Sequence, residues 1–266
     1  MKRFICVLLI IASVIASPCL AAESTFSSKD FYRSLSRRLG RKRTDYPNLT
    51  DKQFANFREV KTTGISAGKL FRSSSPISTW GERNIIADNF AREAGIKTFI
   101  NLADTNQKMR KHKGFSGSYY SGQKIIGLNL NMKYSSSKFR QSLAKGIHFM
   151  AVNDPPYLIH CSLGKDRAGF VCALIECLMG ADIQEVTEDF LVSFYNYFGI
   201  VKGSEEYNFV AENEIQRFLA EAFGVKSLAG INLSEGAERY FIGIGVSRED
   251  INTIKEKLRG NVLNLP

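Results

Sequence analysis

The sequence predicts an α/β protein with a central, largely parallel sheet flanked by helices. Apolar, β-rich segments alternate with segments of helical spacing, which is the pattern of parallel strands joined by crossover helices. Residues 167–179 are apolar nearly all round, and such a helix belongs in the centre of a fold. The chain of 266 residues is 44% hydrophobic and 23% charged, which indicates a globular protein with a sizeable core.

The alternating elements begin at about residue 54. The predicted strands are 68–75, 96–102, 124–132 and 157–160, and the predicted helices are 82–95, 137–153 and 167–179. Glycines end the first and third of these helices, and an Asp-Pro-Pro sequence ends the second. Residues 111–122 are polar, contain several Gly and Ser, and are predicted to form a loop.

The first 22 residues have the three parts of a secretory signal peptide. Lys2 and Arg3 form a basic start, residues 4–16 are an apolar run, and the small residues that follow predict cleavage near Ala21 or Ala22. The alternative is an uncleaved membrane anchor, but the run is shorter than the ~20 apolar residues that a span needs. We therefore expect a secreted or periplasmic protein.

Residues 23–45 are predicted to form a basic N-terminal arm ahead of a single folded domain at 46–266. Residues 29–43 contain seven Lys or Arg and one Asp. Apolar residues recur every four positions, at Phe31, Leu35 and Leu39. A solvated arm is one interpretation, and a short amphipathic helix that contacts an anionic membrane surface or an acidic partner is the other.

The formal net charge of +10 favours anionic partners: phosphates, nucleic acid or an anionic membrane. No interleaved aromatic and basic motif supports a nucleic-acid partner, so none is expected. The absence of a Cys/His cluster with zinc spacing, and of a nucleotide-type P-loop, predicts no metal and no organic cofactor. The three cysteines outside the signal peptide do not make a disulfide framework, and Cys172 and Cys177 are predicted to be core residues. The sequence does not specify an oligomeric state.

The segment HCSLGKDRAG, residues 160–169, joins a predicted strand to the central helix. Gly164 lets the loop curl so that successive backbone N–H groups converge on one anion, and the helix dipole favours Cys161 as a thiolate. A thiolate that faces a bound phosphate is a nucleophile aimed at phosphorus. His160 is expected to support the loop. The predicted phosphate-binding residues are Ser162, Leu163, Gly164, Lys165, Asp166 and Arg167, the last with its planar fork.

Cys161, five further residues and Arg167, preceded by His160, resemble the signature of the cysteine-dependent protein tyrosine phosphatases. The GKDRAG form is most similar to a bacterial branch of tyrosine and dual-specificity phosphatases, some of which also act on phosphoinositides. Further similar segments are LFRSSSP, INLAD, EDFLVSFYNYFGI at 188–200 and residues 236–258, so the likeness covers roughly 55 to 260. It implies a phosphatase-type phosphate-binding loop between strand and buried helix, a helical C-terminal end, and hydrolysis through a phosphocysteine intermediate.

The resemblance leaves the general acid open. Many members of the family carry an Asp on a separate mobile loop, but residues 105–153 contain no Asp or Glu. Some relatives with GKDR are thought to use the loop Asp, so Asp166 is the first candidate for the catalytic acid and Asp104 the second. The alternative for Asp166 is a structural pairing with a neighbouring Lys or Arg.

Two basic residues have more than one interpretation. Lys165 binds a second phosphate, as on an inositol ring, or is a solvated loop lysine. Arg72 contacts the substrate or supports the loop, or it is a surface or structural arginine.

We expect an exported phosphatase acting on phosphate monoesters, with phosphotyrosine favoured and a phosphorylated protein as its partner. One alternative is a phosphatase of phospholipid or inositol phosphate substrates. An alternative of another class is a catalytically weak phosphate-binding module, because no separate acid is visible.

Overall fold

The computed structural model describes residues 27–260. Five strands form one sheet in the order β1-β2-β5-β3-β4. They are β1 (Arg58–Glu59), β2 (Leu70–Ser73), β3 (Thr98–Asn101), β4 (Lys124–Gly127) and β5 (Tyr157–His160). Only β1 and β2 pair antiparallel; the other three pairs are parallel. The predicted central, largely parallel sheet is confirmed.

Helices fill most of the remaining described chain. They are α1 (Ser28–Arg38), α2 (Asp51–Phe54), α3 (Asn84–Glu93), α4 (Asn106–Met109), α5 (Ser137–Val152), α6 (Asp166–Met179), α7 (Ile183–Phe198), α8 (Glu205–Val210), α9 (Arg217–Phe223), α10 (Leu233–Gly243) and α11 (Arg248–Arg259). A π-helical segment, Ala211–Gln216, joins α8 to α9. The three helices predicted from spacing correspond to α3, α5 and α6, and the predicted helical C-terminal end to α10 and α11.

The sheet separates two apolar cores, because successive strand residues face opposite sides. One face packs Phe71, Phe99 and Leu158 against α3 and the chain around it. The other face packs against the larger core around α5, α6 and α7, with Leu70, Ile100 and Ile159.

Helix α6 lies at the centre of the larger core, as its apolar sequence predicts. Every residue from Ala168 to Met179 is buried, and the helix packs against β2, β5, α7 and α10. It ends at Gly180, whose φ of 102° is a left-handed conformation that favours glycine. Cys172 and Cys177 are both buried and free, so their assignment to the core is confirmed.

The register of the parallel strands places the C-terminal ends of three strands at one edge of the sheet. Ser73, Asn101 and His160 are direct neighbours across β2, β5 and β3. The segments that follow these strands therefore begin side by side, and they carry the predicted site residues Asp104 and Cys161 to the same place.

The predicted strand 124–132 is too long, because β4 ends at Gly127. Asn129 has a φ of 44°, a left-handed conformation that breaks the extended chain and that Asn tolerates better than most residues. Leu128 and Leu130 instead bend toward the end of β3, where their N–H groups donate to the carbonyls of Asn101 and Leu102.

The basic arm is not solvated where the structure describes it. Helix α1 packs on the domain, with Phe31 and Leu35 buried in the larger core and the Phe31 ring 4.6 Å from that of Phe209. The solvated interpretation is therefore wrong for this segment. The amphipathic helix is observed, whereas its contact with an anionic surface or an acidic partner stays a prediction. The predicted signal peptide, residues 1–22, lies outside the described residues. Within residues 27–260, no helix is both long enough and apolar enough to cross a membrane.

Candidate active site

Cys161 begins a tight loop between β5 and α6. It is 2% exposed and lies directly after His160, at the edge of the sheet where β2, β3 and β5 end. Gly164 turns the loop with a φ of 70°. A Cβ atom there would lie 2.2 Å from the carbonyl oxygen of Ser73, so only glycine fits both the conformation and the space.

The carbonyl groups of four successive loop residues are each bound by a donor from outside the loop. The backbone N–H of Ser75 donates to the carbonyl oxygen of Ser162. The Leu163 carbonyl accepts from the Asn56 amide at 3.0 Å and from the Tyr197 hydroxyl at 2.6 Å. The carbonyls of the next two residues, Gly164 and Lys165, accept from Arg72.

These outer hydrogen bonds orient the backbone N–H groups of the loop. In a planar peptide the N–H points opposite to the C=O, so carbonyls held on the outside direct the N–H groups inward. Each of these carbonyls shares its peptide with the N–H of the next residue, and among the described residues the N–H groups of 163–166 donate to no other group of the protein. Together with the N-terminus of α6 they form a concave anion site that opens beside Cys161.

Arg72 supports this loop from beneath. Its Nη2 lies 2.9 Å and 3.1 Å from the carbonyl oxygens of Gly164 and Lys165, and its Nη1 lies 2.5 Å from Asp189 of α7. Arg58 holds the other Asp189 carboxylate oxygen at 2.8 Å. Burial alone would raise the pKa of Asp189, but the charges of the two arginines lower it, so this carboxyl is ionised. Arg72 is fully buried, so it is not a surface arginine, and its two hydrogen bonds hold the loop from below.

Arg167 reaches across the open side of the loop. Its Nη1 donates to the carbonyl of Leu130 at 3.1 Å and lies 3.4 Å from that of Leu102. Its Nη2 donates to the Ser162 hydroxyl at 3.2 Å. The guanidinium is thus held between the chain segments after β3 and β4, beside the anion site.

His160 is a neutral structural residue in this arrangement. Burial lowers its pKa to about 4. Its Nδ1 lies 3.4 Å from the Cys161 carbonyl, which can only accept, so this nitrogen carries the proton. Its Nε2 then accepts from the Tyr120 hydroxyl at 3.2 Å. His160 supports the loop through these two contacts, as expected from the sequence.

Lys165 and Asp166 bind each other at the start of α6. The Lys165 ammonium contacts the Asp166 carboxylate and lies 4.2 Å from the centre of the Phe194 ring. Lys165 is only 9% exposed, so the solvated-lysine alternative is wrong. Burial alone would lower the pKa of Lys165, but the carboxyl groups of Asp166 and Glu214 raise it. The pairing of Asp166 with a neighbouring lysine is therefore observed, and its carboxylate stands at the rim of the anion site.

Asp104, the second candidate acid, is held in its ionised form. It lies 3.0 Å from the Lys108 ammonium and 3.1 Å from Nε2 of His112. Burial alone would raise the pKa of Asp104, but the contacts with Lys108, His112 and Asn101 lower it. A carboxyl group that is already ionised at neutral pH is poorly suited to protonating a leaving group.

The loop rests on several residues that the sequence analysis did not single out. Asn56 and Tyr120 stand in no recognisable pattern. On α7, however, Asp189, Ser193 and Asn196 are spaced i, i+4, i+7 on one buried face, and such a polar stripe in an otherwise apolar helix is a readable signal. Within the described chain, no group of three or more His, Cys, Asp or Glu side chains could hold a metal ion.

The sequence model of the tyrosine phosphatase family matches residues 50–260. A protein of Nostoc commune described as a tyrosine-protein phosphatase is 27% identical over 136 residues, which cover 47% of this chain and 45% of that protein. The chain thus spans less than half the length of this curated relative.

Two solved structures also align with this chain over 62% of its length. One is TpbA of P. aeruginosa in complex with phosphotyrosine, with a TM-score of 0.38, 15% identity and 94% of that chain covered. The other is the core catalytic domain of the PP-IP phosphatase SIW14 from S. cerevisiae in complex with citrate, with a TM-score of 0.36, 18% identity and 91% of that chain covered.

Proposed function

Because this chain belongs to the tyrosine phosphatase family, we propose that it hydrolyses phosphate monoesters through a phosphocysteine intermediate, with phosphotyrosine as the favoured substrate. The predicted family, one of phosphoric monoester hydrolases, is confirmed. The observation that carries the proposal is the loop after β5, where four outward carbonyls are held by outside donors and Cys161 begins the concave site that the N–H groups line.

In the first step, a phosphate monoester lies against the loop N–H groups and the Arg167 guanidinium. The Cys161 thiolate attacks phosphorus, and the bond from phosphorus to the leaving oxygen breaks. Asp166 gives its proton to that oxygen, which otherwise leaves as a costly anion.

In the second step, water attacks the phosphorus of the phosphocysteine. The Asp166 carboxylate takes a proton from this water, the P–S bond breaks, and Cys161 returns to its thiolate form. Inorganic phosphate leaves, and Asp166 again holds the proton that it donated in the first step.

The segment that follows β3, residues 102–113, favours a second substrate class. Four of its basic side chains are exposed at the same edge of the sheet as the loop: Lys108, Arg110, Lys111 and Lys113. Such a cluster suits a substrate with several negative charges, so a phosphoinositide or inositol phosphate is the alternative to phosphotyrosine. Release of free phosphate from a phosphotyrosine peptide, a soluble inositol phosphate and phosphoinositide vesicles would rank these substrates.

The decisive variant is Cys161→Ser, with Cys177→Ala as a matched control at a buried cysteine outside the loop. We expect Cys161→Ser to lose turnover of p-nitrophenyl phosphate while it still binds inorganic phosphate, because the N–H groups of the loop remain. Cys177→Ala should keep its turnover. A Cys161→Ser variant that hydrolyses the ester at the wild-type rate would disprove the mechanism. An inactive wild type that binds phosphate would instead favour the phosphate-binding module.

Export and a membrane contact also belong to the proposal. The basic start, apolar run and small residues at 1–22 support a signal peptide, and the exposed basic residues of α1 suit an anionic surface. N-terminal sequencing of protein from the periplasm or the medium should find a start near residue 22 or 23. Sedimentation with anionic vesicles, compared with neutral vesicles, would test the surface contact. We expect no binding to nucleic acid.

A further inference from the structure

Within the described chain, the buried guanidinium of Arg83 binds no carboxylate. Arg83 directly precedes α3 and is 2% exposed. Its Nη1 donates to the carbonyl oxygen of Phe54 at 2.9 Å, whereas its Nε and Nη2 have no hydrogen-bond partner in that part of the chain. Burial of a charge is costly unless the charge is paired, so this cation is a candidate for a role other than stability.

Three aromatic rings surround Arg83 in place of a carboxylate. The central carbon of its guanidinium lies 3.9 Å from the centre of the Phe54 ring, 4.8 Å from that of Tyr197 and 4.9 Å from that of Tyr46. The face of an aromatic ring is negative and attracts a cation, more strongly where water is excluded. The positive charge therefore rests on the three ring faces, and it polarises each ring.

Of these three rings, the ring of Tyr197 leads to the catalytic loop. Its hydroxyl donates to the carbonyl oxygen of Leu163 at 2.6 Å, and the residue is 2% exposed. This carbonyl shares its peptide with the N–H of Gly164, one of the N–H groups that line the anion site. The Tyr46 hydroxyl instead lies 3.4 Å from the carbonyl oxygen of Tyr197, outside the loop. Arg83, Tyr197 and the peptide thus form a continuous path to the anion site.

A positive charge over the ring makes the Tyr197 hydroxyl a stronger hydrogen-bond donor, because the charge draws electron density away from the phenol oxygen. Burial raises the pKa of Tyr197, and the charge of Arg83 opposes that rise. A stronger donor polarises the Leu163 carbonyl, and the N–H of the same peptide becomes a stronger donor in turn. Hydrogen bonds in a chain strengthen one another in this way where the local dielectric constant is low. An anion held by that N–H is therefore bound more tightly.

We propose that Arg83 is a positioning residue of the anion site, whose charge strengthens phosphate binding through the Tyr197 hydroxyl and the Leu163–Gly164 peptide. Because Arg83 acts through Tyr197, it needs no contact with the phosphate group. The ligand is a phosphate group or another tetrahedral oxyanion. The proposal rests on the part of the proposed function that makes this loop the phosphate site, and it does not depend on turnover.

The alternative is that Arg83 only fills the space between the rings and binds the Phe54 carbonyl. Arg83→Met keeps much of the length of the side chain and removes the charge, and Arg83→Lys keeps the charge. Arg92→Met is the matched control. The Arg92 guanidinium lies 5.7 Å from the centre of the Tyr119 ring, and the Tyr119 hydroxyl donates to the carbonyl of Ile96 rather than to the loop.

The test is the dissociation constant of inorganic phosphate, measured by titration calorimetry, together with the urea midpoint of each variant. In Arg83→Met we expect phosphate to bind about three- to fivefold more weakly, because a hydrogen bond to an anion loses part of its strength with its polarising partner. The urea midpoint should not fall with the affinity, since the change also removes a buried charge with two unpartnered nitrogens. Arg83→Lys and Arg92→Met should bind phosphate within about twofold of the wild type.

A double-mutant cycle with Tyr197→Phe tests the path itself. This change removes the hydroxyl, so Arg83→Met should cause no further loss of phosphate affinity in the Tyr197→Phe background. An equal loss in both backgrounds means that the charge acts without the hydroxyl, and it overturns the proposal. Unchanged phosphate affinity in Arg83→Met overturns it too, as does a joint fall of affinity and urea midpoint, which supports the alternative.

Two further measurements keep the proposal open to test if Arg83→Met does not fold. Arg83→Gln then takes its place, because its amide is neutral and can still donate to the Phe54 carbonyl. If neither variant folds, Tyr197→Phe decides, and an unchanged phosphate dissociation constant there overturns the proposal. A wild type that binds phosphate without turnover overturns the proposed function alone, and the cycle still decides this proposal. A wild type that binds no phosphate overturns both.

Discussion

Two clusters of charged side chains flank the catalytic loop and differ in their ratio of cations to carboxyl groups. The brace, formed by Arg58, Arg72 and Asp189, has two cations for one carboxylate, and Arg72 also holds two loop carbonyls. The rim pair, formed by Lys165 and Asp166, has one cation for one carboxylate. The brace leaves a positive excess beneath an anion site, whereas the charges of the rim pair balance. The same residue types thus stabilise the loop on one side and stand beside the open anion site, at the proposed acid, on the other.

The largest effect should come from breaking the brace with Arg72→Met. This change leaves the carbonyls of Gly164 and Lys165 without their donor and Asp189 with Arg58 alone. Loss of one partner from a buried pair costs about 3–5 kcal/mol of unfolding free energy, and turnover should fall with the loop geometry. Urea denaturation measures the first effect. The control is Arg33→Met, which breaks an exposed pair with Asp30 and should cost about 1 kcal/mol or less. Equal losses in the two variants would contradict the assigned role.

In the rim pair, Asp166→Asn should show the opposite balance, with a large loss of turnover and a smaller loss of stability than Arg72→Met. We expect phenyl phosphate turnover to fall about 10²–10⁴-fold, and p-nitrophenyl phosphate turnover to fall less, because a good leaving group needs little proton transfer. The unfolding free energy should fall by about 1–3 kcal/mol, because Asp166 is partly exposed but its loss leaves the buried Lys165 ammonium without its carboxylate.

Asp104→Asn is the matched comparison for Asp166→Asn, because Asp104 was the other candidate acid. The loss of turnover in Asp104→Asn should be similar on both esters. The contacts of Asp104 with Lys108 and His112 hold the chain segment after β3 in place and transfer no proton to the leaving group. If Asp104→Asn instead loses phenyl phosphate turnover selectively while Asp166→Asn does not, the assignment of the acid is reversed.

A smaller, pH-dependent effect on the unfolding free energy should come from replacing Glu176, a fully buried carboxyl group of α6 near the brace. Neither of its oxygens has a hydrogen-bond partner in the described structure. Burial, and next the charge of Asp189, raise the pKa of Glu176 well above its ordinary value, although Arg72 and Arg58 oppose the rise. A folded-state pKa that is raised means that stability is fully present below the unfolded pKa of about 4.3 and is lost as pH rises through the folded pKa.

Glu176→Gln removes this titration. The difference in unfolding free energy between variant and wild type should therefore shift in favour of the variant as the pH is raised from 4 toward neutrality and beyond. Denaturation at several pH values measures the trend, and Glu212→Gln, at an exposed carboxyl group, is the control. Parallel pH curves for Glu176→Gln and wild type would contradict the assignment.

The local features of the site could be predicted from the sequence because they depend on neighbouring residues. The short strand at 157–160, the loop with Gly164 and the apolar helix after it are all visible as spacing and residue type. The proposed nucleophile, Cys161, and the basic Arg167 could be predicted from that context. The end of β4 was missed, because a single left-handed residue, Asn129, stops an otherwise strand-like run. The packing of α1 remained one of two interpretations, since its three apolar residues do not reveal the surface that receives them.

The sequence by itself determined which segments are buried and where a cysteine, the proposed nucleophile, begins the loop before a helix. Periodicity and glycine placement are local properties, and they act before any tertiary contact forms. Only the tertiary structure decided which side chains hold that loop. Asn56, Arg72 and Tyr197 are distant from it in sequence, and the strand order β2-β5-β3 together with the packing of α7 brings them to its outer carbonyls. The physical reason is that these contacts follow from the burial of two whole cores, a collective property that no short stretch of sequence encodes.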